Sequence, residues 1–524
     1  MSLHLPQQQH GDTPKELPRN PNQYGLTYLP NRFSIFAAIT VSPIALAESS
    51  YLIAFTSRKH TMNSHSQNTD TASKTPLPLL MVAFFLAIFS YQFNASMLSP
   101  ALPSMSAQLG ADSNTISTTQ TVFFASSAAF SLFLPRLGDL IGRKRTTLGM
   151  LATASLGCVI SATAPNILTL CLGRALQGVT GPIISLCLLM LRERVTDEKR
   201  YASLLAITLC ANGGIAGLDA LAGGWLANSF GFRSVFWTMA VTGTLGFITI
   251  LLFATESLAS NASPMDWPGI SSLVIALSSL LLSISMLRNN EHNLAIVALL
   301  IVISACSFAE FTRIEQHSKA PLASIDYLKQ RSTWGFLLTV FLALVGVFAT
   351  MNGVIPAAAQ HQQLLSMSAQ TSTLVTLVPY AAVGMAVALI AGPIAGRLGY
   401  LTVFRLGLAV TALSLGFGIY AMQHLTIASL IALSVSLGIG YVGFTFIMIN
   451  ALAVALSPAN APGTLPGLNA GVFNIASSMS YLLLYSVQTG VETSHGIAYG
   501  YAASLGIGFI AVTCAFACSF IIRK

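Results

Sequence analysis

Charge is what this sequence has least of. Only 8% of its 524 residues are Asp, Glu, Lys or Arg, and 54% are hydrophobic; soluble domains carry about 25% charged residues. With a mean hydropathy of +0.70, that balance excludes a soluble globular chain and indicates a membrane protein. Acid is scarcer still than base, 17 residues against 25, which leaves a formal charge of +8 and a pI near 9.2. The bases sit in short loops between apolar runs, as the positive-inside rule places them, so no nucleic-acid partner is expected. The seven cysteines (Cys158, Cys171, Cys187, Cys210, Cys306, Cys514, Cys518) all fall inside apolar segments without disulfide or metal spacing, and read as small core residues. A phosphate-cradling glycine loop, a metal-ligand cluster and a nucleophile triad are also missing. An enzyme and an ATP-driven pump are therefore disfavoured, and no cofactor or metal is expected.

What is there is apolar and regular. A bilayer core of about 30 Å takes about 20 apolar residues per helix. Fourteen such segments run roughly over 78–98, 117–135, 146–164, 167–191, 201–227, 234–254, 268–287, 293–311, 335–355, 371–394, 401–421, 425–456, 466–489 and 498–522. Spanning strands would be about half as long and would alternate. The expected fold is thus an all-α polytopic membrane protein with 14 transmembrane helices. Residues 1–77 form an extension expected to be mostly disordered; Met62 offers an alternative start, which would make 1–61 an annotation artefact.

Orientation follows from the bases. With the start of the first helix in the cytoplasm, the inner loops and tail hold Arg136, Arg143, Lys144, Arg145, Arg192, Arg194, Lys199, Arg200, Arg313, Lys319, Lys329, Arg331, Arg397, Arg405, Arg523 and Lys524. The outer loops hold Arg233 and Arg288. That asymmetry puts both ends of the helical region in the cytoplasm, and the expected location is a bacterial cell membrane.

Between the second and third segments stands "GDLIGRKR" (138–145). Gly138 and Gly142 permit a tight turn and close helix approach. Asp139 either suits the start of the third helix or pairs with Arg143. The fourth segment carries "LGRALQGVTGP" (172–182), with Arg174 inside apolar sequence. A guanidinium at that depth costs at least about 2.5–3.5 kcal/mol and is kept for a reason, unless it snorkels to an interface. The fifth carries "GGIAGLDALAGGW" (213–225), whose Asp219 is the one acid deep inside any of the fourteen segments. Burial disfavours its charged form and a nearby Arg174 favours it, which could leave a titratable carboxylate. A structural Asp bonded to neighbouring helices is the plainer reading.

These motifs, taken together over about residues 78–522, resemble the major facilitator superfamily. The two extra segments opened by "MDWPGI" (265–270), the 310–331 stretch and "PGTLPGLNAGVFNIASSMSYLLL" (462–484) resemble its fourteen-span drug:proton antiporter branch. The loop "AGPIAGRLGY" (391–400) looks like a degraded second copy of the signature loop, keeping Gly396, Arg397 and Gly399. The resemblance implies two six-helix bundles, 78–260 and 321–524, with two additional helices and a linker over 261–320, and a site between the bundles at mid-membrane. It also implies proton-coupled export of small drug-like compounds by alternating access, from a monomer in the lipid bilayer, with the proton gradient as energy source. Arg174 and Asp219 would couple protons from a shared polar pocket, and Gly138, Asp139, Gly142 and Arg143 would form a cytoplasmic gate.

Two positions depart from that branch. Asn94 in "FNASMLSPALP" (93–103) stands where those antiporters commonly have Asp, and Asp219-Ala220 stands in place of Gly-Pro. Asn94 otherwise reads as an interhelical hydrogen bonder. The departures keep a second reading open, a proton symporter or uniporter that imports a small metabolite. Asn94, Gln120, Gln177, Asn212, Asn352, Tyr380 and Asn450 are the candidate cavity residues.

Overall fold

A computed structural model describes residues 76–257, 266–288, 294–317, 325–457 and 464–522. The expectations for residues 1–75, and the exact borders near 260 and 320, lie outside the described residues. Every described residue is irregular or helical, and no strand occurs among them. The long helices are α1 (Leu77–Leu109), α2 (Ser113–Ile141), α3 (Arg143–Ala162), α4 (Ile167–Arg194), α5 (Glu198–Phe230), α6 (Phe232–Phe253) and α7 (Trp267–Arg288). They continue as α8 (Leu294–His317), α9 (Arg331–Gln360), α10 (Ala369–Leu398), α11 (Tyr400–Gln423), α12 (Ile427–Ala455), α13 (Thr464–His495) and α14 (Ile497–Ile521). A single turn, Ile325–Leu328, precedes α9.

Ten of these are long and apolar enough to cross a membrane by themselves, or eleven with the bent α2. The helices outside that number carry polar sequence of their own. The first turn of α3 is Arg143-Lys144-Arg145, α5 holds Asn212 and Asp219, and α7 intersperses Ser271, Ser272, Ser278, Ser279, Ser283 and Ser285 among its apolar residues. Several helices extend further than their apolar cores. The expected 78–98 is α1 to Leu109, and 117–135 becomes α2 from Ser113 to Ile141. Polar caps explain several starts: Asp112 accepts from Thr115 N, Asn166 from Thr169 N, Asp197 from Arg200 N and Ser368 from Thr371 N. α2 bends between Ser131 and Phe133, one turn before Pro135, which has no N–H to donate back to the Ser131 carbonyl.

The breaks recur with an offset of eight helices. α1 widens into a π-turn at Phe93–Met97 and α9 at Thr350–Val354. α4 tightens into a 3-10 turn at Gly178–Thr180, and α12 is broken at the matching place by a widened π stretch at Gly438–Phe446. Tight reversals join α2 to α3 at Gly142 (φ 112°) and α10 to α11 at Gly399 (φ 87°), a backbone region that side chains disfavour. The same φ sign recurs at Gly231 between α5 and α6 and Gly496 between α13 and α14. A chain that repeats its irregularities at equivalent places carries an internal structural repeat.

In the first group α1 and α3 pack on α6, and α4 on α2 and α3. In the second, α9, α13 and α14 pack mutually, α11 packs on α14, and α10 and α11 flank the loosened part of α12. α2 against α13, and α5 against the first turns of α10, join the groups. α7 and α8 pack chiefly on each other, with α7 also against α2, and only 11% of the apolar window of α8 is buried.

Candidate functional site

Arg174 lies two turns into α4 and is 0% exposed. Its helix is drawn inward by backbone-close contacts: a Cβ at Gly173 would come within 2.7 Å of the Gly157 carbonyl on α3, and Ser126 Oγ of α2 donates to Ala175 O at 2.6 Å. The guanidinium spends its donors on neutral acceptors. It donates to Gln177 Oε1 (2.6 Å), Asn94 O (3.0 Å), Asn94 Oδ1 (3.4 Å), Thr119 O (3.5 Å) and Gln120 Oε1. It also sits 4.3 Å over the Phe123 ring. Gln177 Nε2 in turn donates to Ser161 Oγ at 2.8 Å. Three expected cavity residues, Asn94, Gln120 and Gln177, are thus gathered on one buried cation. No carboxylate accompanies it among the described ion pairs. Gln120 Nε2 is buried without a hydrogen-bond partner.

Asp219 is 2% exposed. Its Oδ2 accepts from Ser96 Oγ at 2.5 Å, and Ser96 Oγ accepts from Gln92 Nε2 at 2.8 Å. Its Oδ1 is buried without a partner. One turn further on, a Cβ at Gly223 would overlap the Met97 carbonyl, so α5 and α1 touch backbone to backbone here. Among the described residues no ion pair joins Asp219 to Arg174; the π-turn of α1 serves both, offering Asn94 to the base and Ser96 to the acid. A π-turn displaces the i→i−4 register, which leaves main-chain carbonyls available, and Arg174 takes one at Asn94. Ser96 was missed because a lone serine near a proline carries no sequence signal of its own.

The remaining cavity candidates scatter. The Asn352 carbonyl accepts from Ser99 Oγ and from Tyr481 OH (2.8 Å), while its amide donates to Phe348 O. Tyr380 lies against Gly438 of α12, where a Cβ would come within 2.5 Å of the Tyr380 carbonyl. Asn212 Oδ1 is buried without a partner. Asn450 is exposed and donates to its own helix at Phe446 O. Unforeseen is an aromatic cluster across the two groups. Phe123 and Phe124 lie 4.9 Å apart, Phe124 is 5.0 Å from Phe348, and Tyr481 stacks with Phe124 and with Tyr485 at 6.1 Å. Beside it Tyr91 OH donates to Asn474 Oδ1 at 2.9 Å.

At the ends of α2, α3 and α4, Arg143 binds Asp139 through Nη2 (2.8 Å) and Nε (2.9 Å), and Glu193 through Nη1 (3.1 Å). Gly138 lies where a Cβ would meet Leu186 of α4 at 2.8 Å. The structure decides between the two readings of Asp139: it pairs with Arg143. The acid at the start of α3 is Glu256, which accepts from Lys144 N (3.0 Å) and Arg145 N (3.3 Å). A Cβ at Gly142 would collide with that carboxylate.

The family model of the Major Facilitator Superfamily matches residues 84–481. A uridine/deoxyuridine transporter of Lactococcus lactis is 45% identical over 450 residues, covering 84% of this chain and 94% of that one. The multidrug efflux pump LfrA of Mycolicibacterium smegmatis is 27% identical over 443 residues, covering 83% and 86%. Among solved structures, the nucleoside transporter NupG (TM-score 0.57, 12% identity, covering 85% of this chain and 100% of that one) and a POT peptide transporter (TM-score 0.63, 14% identity, 87% and 97%) share the fold. The expectation of drug export is overturned by the first of these relatives. The motifs behind it mark superfamily architecture, which importers and exporters have in common. The chain is a multi-pass membrane transporter of a small-molecule substrate, and it belongs to the major facilitator superfamily.

Proposed function

We propose that this protein takes up pyrimidine nucleosides of the uridine type by proton symport. The observation that carries the reading is 45% identity along nearly the whole length of a uridine/deoxyuridine transporter. A superfamily-wide fold alone would not choose a substrate. Fourteen spans, in two six-helix bundles with α7 and α8 added, are supported by the eight-helix offset of the π-turns and reversals. In that topology, in the cell membrane with both ends of the helical region cytoplasmic, the outer ends of the bundles are shut. Gly224 of α5 lies against Ala369 and Thr373, Gly217 against Ala381, and Ser99 against Asn352.

Asp219 carries the proton. It is a buried carboxylate with one oxygen unpartnered and the other on Ser96, next to the helix turn that holds the Arg174 network. A change of its charge alters what α1 must offer it, and α1 lies at the seam that opens and closes. Asp139, Arg143 and Glu193 latch the inner ends of α2, α3 and α4 across the Gly142 turn, the monomer being the working unit. The test is uptake of labelled uridine into cells expressing the protein, with and without a protonophore. The reading requires uptake above the empty-vector control and its loss with the gradient; accumulation no greater than the control would end it.

A further inference from the structure

The amide of Asn474 is held in one orientation. Its Nδ2 donates to Ala470 O at 3.1 Å, and its Oδ1 accepts from Tyr91 OH at 2.9 Å. A main-chain carbonyl can only accept, so Nδ2 must face Ala470, and the amide cannot turn over without setting oxygen against oxygen. One N–H and one lone pair remain after these two bonds, a donor and an acceptor in fixed order. The residue sits where α1 of one group meets α13 of the other, in a seam that alternating access would part.

Aromatic rings lie next to its partners. Phe473, the preceding residue, packs edge-to-face on Phe348 at 5.3 Å, and Phe123 lies 6.0 Å from the Tyr91 ring. Aromatic faces accept any base by stacking and do not discriminate between bases. A fixed amide does discriminate. Uracil presents an N3–H donor flanked by two carbonyl acceptors, and pairs with an amide that offers an acceptor beside a donor. Cytosine presents an acceptor at N3 beside an N4 amino donor, the opposite order for a base that its ribose holds in the same pose.

We propose that Asn474, oriented by Ala470 and Tyr91, reads the N3–H and an adjacent carbonyl of a uracil-type base stacked among these rings, and so sets uridine over cytidine. This rests on the nucleoside-uptake reading. A bidentate pair of this kind discriminates by about 10- to 100-fold.

The experiment is competition against labelled uridine uptake by unlabelled uridine, N3-methyluridine and cytidine, in cells expressing wild type or Asn474→Leu at matched membrane levels. In wild type, uridine should half-inhibit at a concentration about 10- to 100-fold below either analogue. In Asn474→Leu that preference should collapse to within about threefold. N3-methyluridine competing as well as uridine in wild type would overturn the proposal without recourse to any variant, so a misfolded Leu protein does not protect it. A Leu variant that keeps the wild-type ratio would also overturn it, leaving nucleoside uptake intact. Absence of uridine uptake by wild type would instead remove the underlying function, and the proposal with it.

Discussion

Replacing Arg174 with Lys keeps a positive charge and should still cripple the protein. The guanidinium makes five hydrogen bonds to Thr119, Asn94, Gln120 and Gln177, at 0% exposure, and covers the Phe123 ring. An ammonium has three donors radiating from one point, so at least two acceptors lose their partner. Hydrogen bonds to a charged group are worth about 1.5–3 kcal/mol each, and the ring contact about 0.5–2 kcal/mol. Allowing for relaxation, the loss is about 3–5 kcal/mol. For a chain of this length that corresponds to roughly 5 °C in melting temperature, extrapolating the size trend of soluble domains. The assay is thermal unfolding of purified protein in detergent, followed by fluorescence-detected size exclusion, with uridine uptake measured in parallel. A Lys variant that melts with wild type and transports at the wild-type rate would refute the reasoning, because the geometry of the guanidinium would then be irrelevant.

Other perturbations follow from the same contacts. Gly223→Val places a branched side chain on the Met97 carbonyl; overpacking costs about 1–3 kcal/mol, and uptake should fall at least about tenfold or the protein should fail to accumulate in the membrane. Ser96→Ala removes a partner of Asp219 Oδ2 and should displace the pH profile of uptake, whereas a packing role alone would lower the rate at every pH equally. Glu256→Gln takes the negative charge from the first turn of α3, an effect of about 0.3–1 kcal/mol, so a slightly lower melting temperature with uptake retained is expected.

How much of this the sequence disclosed depends on the range of the interaction. Helix positions were legible because a bilayer core fixes the length of an apolar run, and the turn at Gly142 because a positive φ selects glycine. That Arg174 and Asp219 are buried could be read from their place inside apolar runs. Their partners could not. Arg174 finds Asn94 and Gln120 through the tertiary packing of α1, α2 and α4, and Asp219 finds Ser96 because the π-turn of α1 shifts the register by one residue. Glu256 was invisible for the same reason: it follows α6, over a hundred positions from the α3 amides it caps. Transport direction was misread because the signature loop and the arginine motif describe the scaffold, which does not by itself choose a direction or a substrate.

Asp219 is the group proposed to tie proton movement to nucleoside uptake. The most direct measurement is uridine accumulation in proteoliposomes under an inward proton gradient, comparing wild type with Asp219→Asn. Wild type should concentrate uridine only while the gradient lasts, and the Asn protein should equilibrate uridine without concentrating it. Gradient-driven accumulation by the Asn protein at the wild-type level, or wild-type transport indifferent to the gradient, would contradict the account.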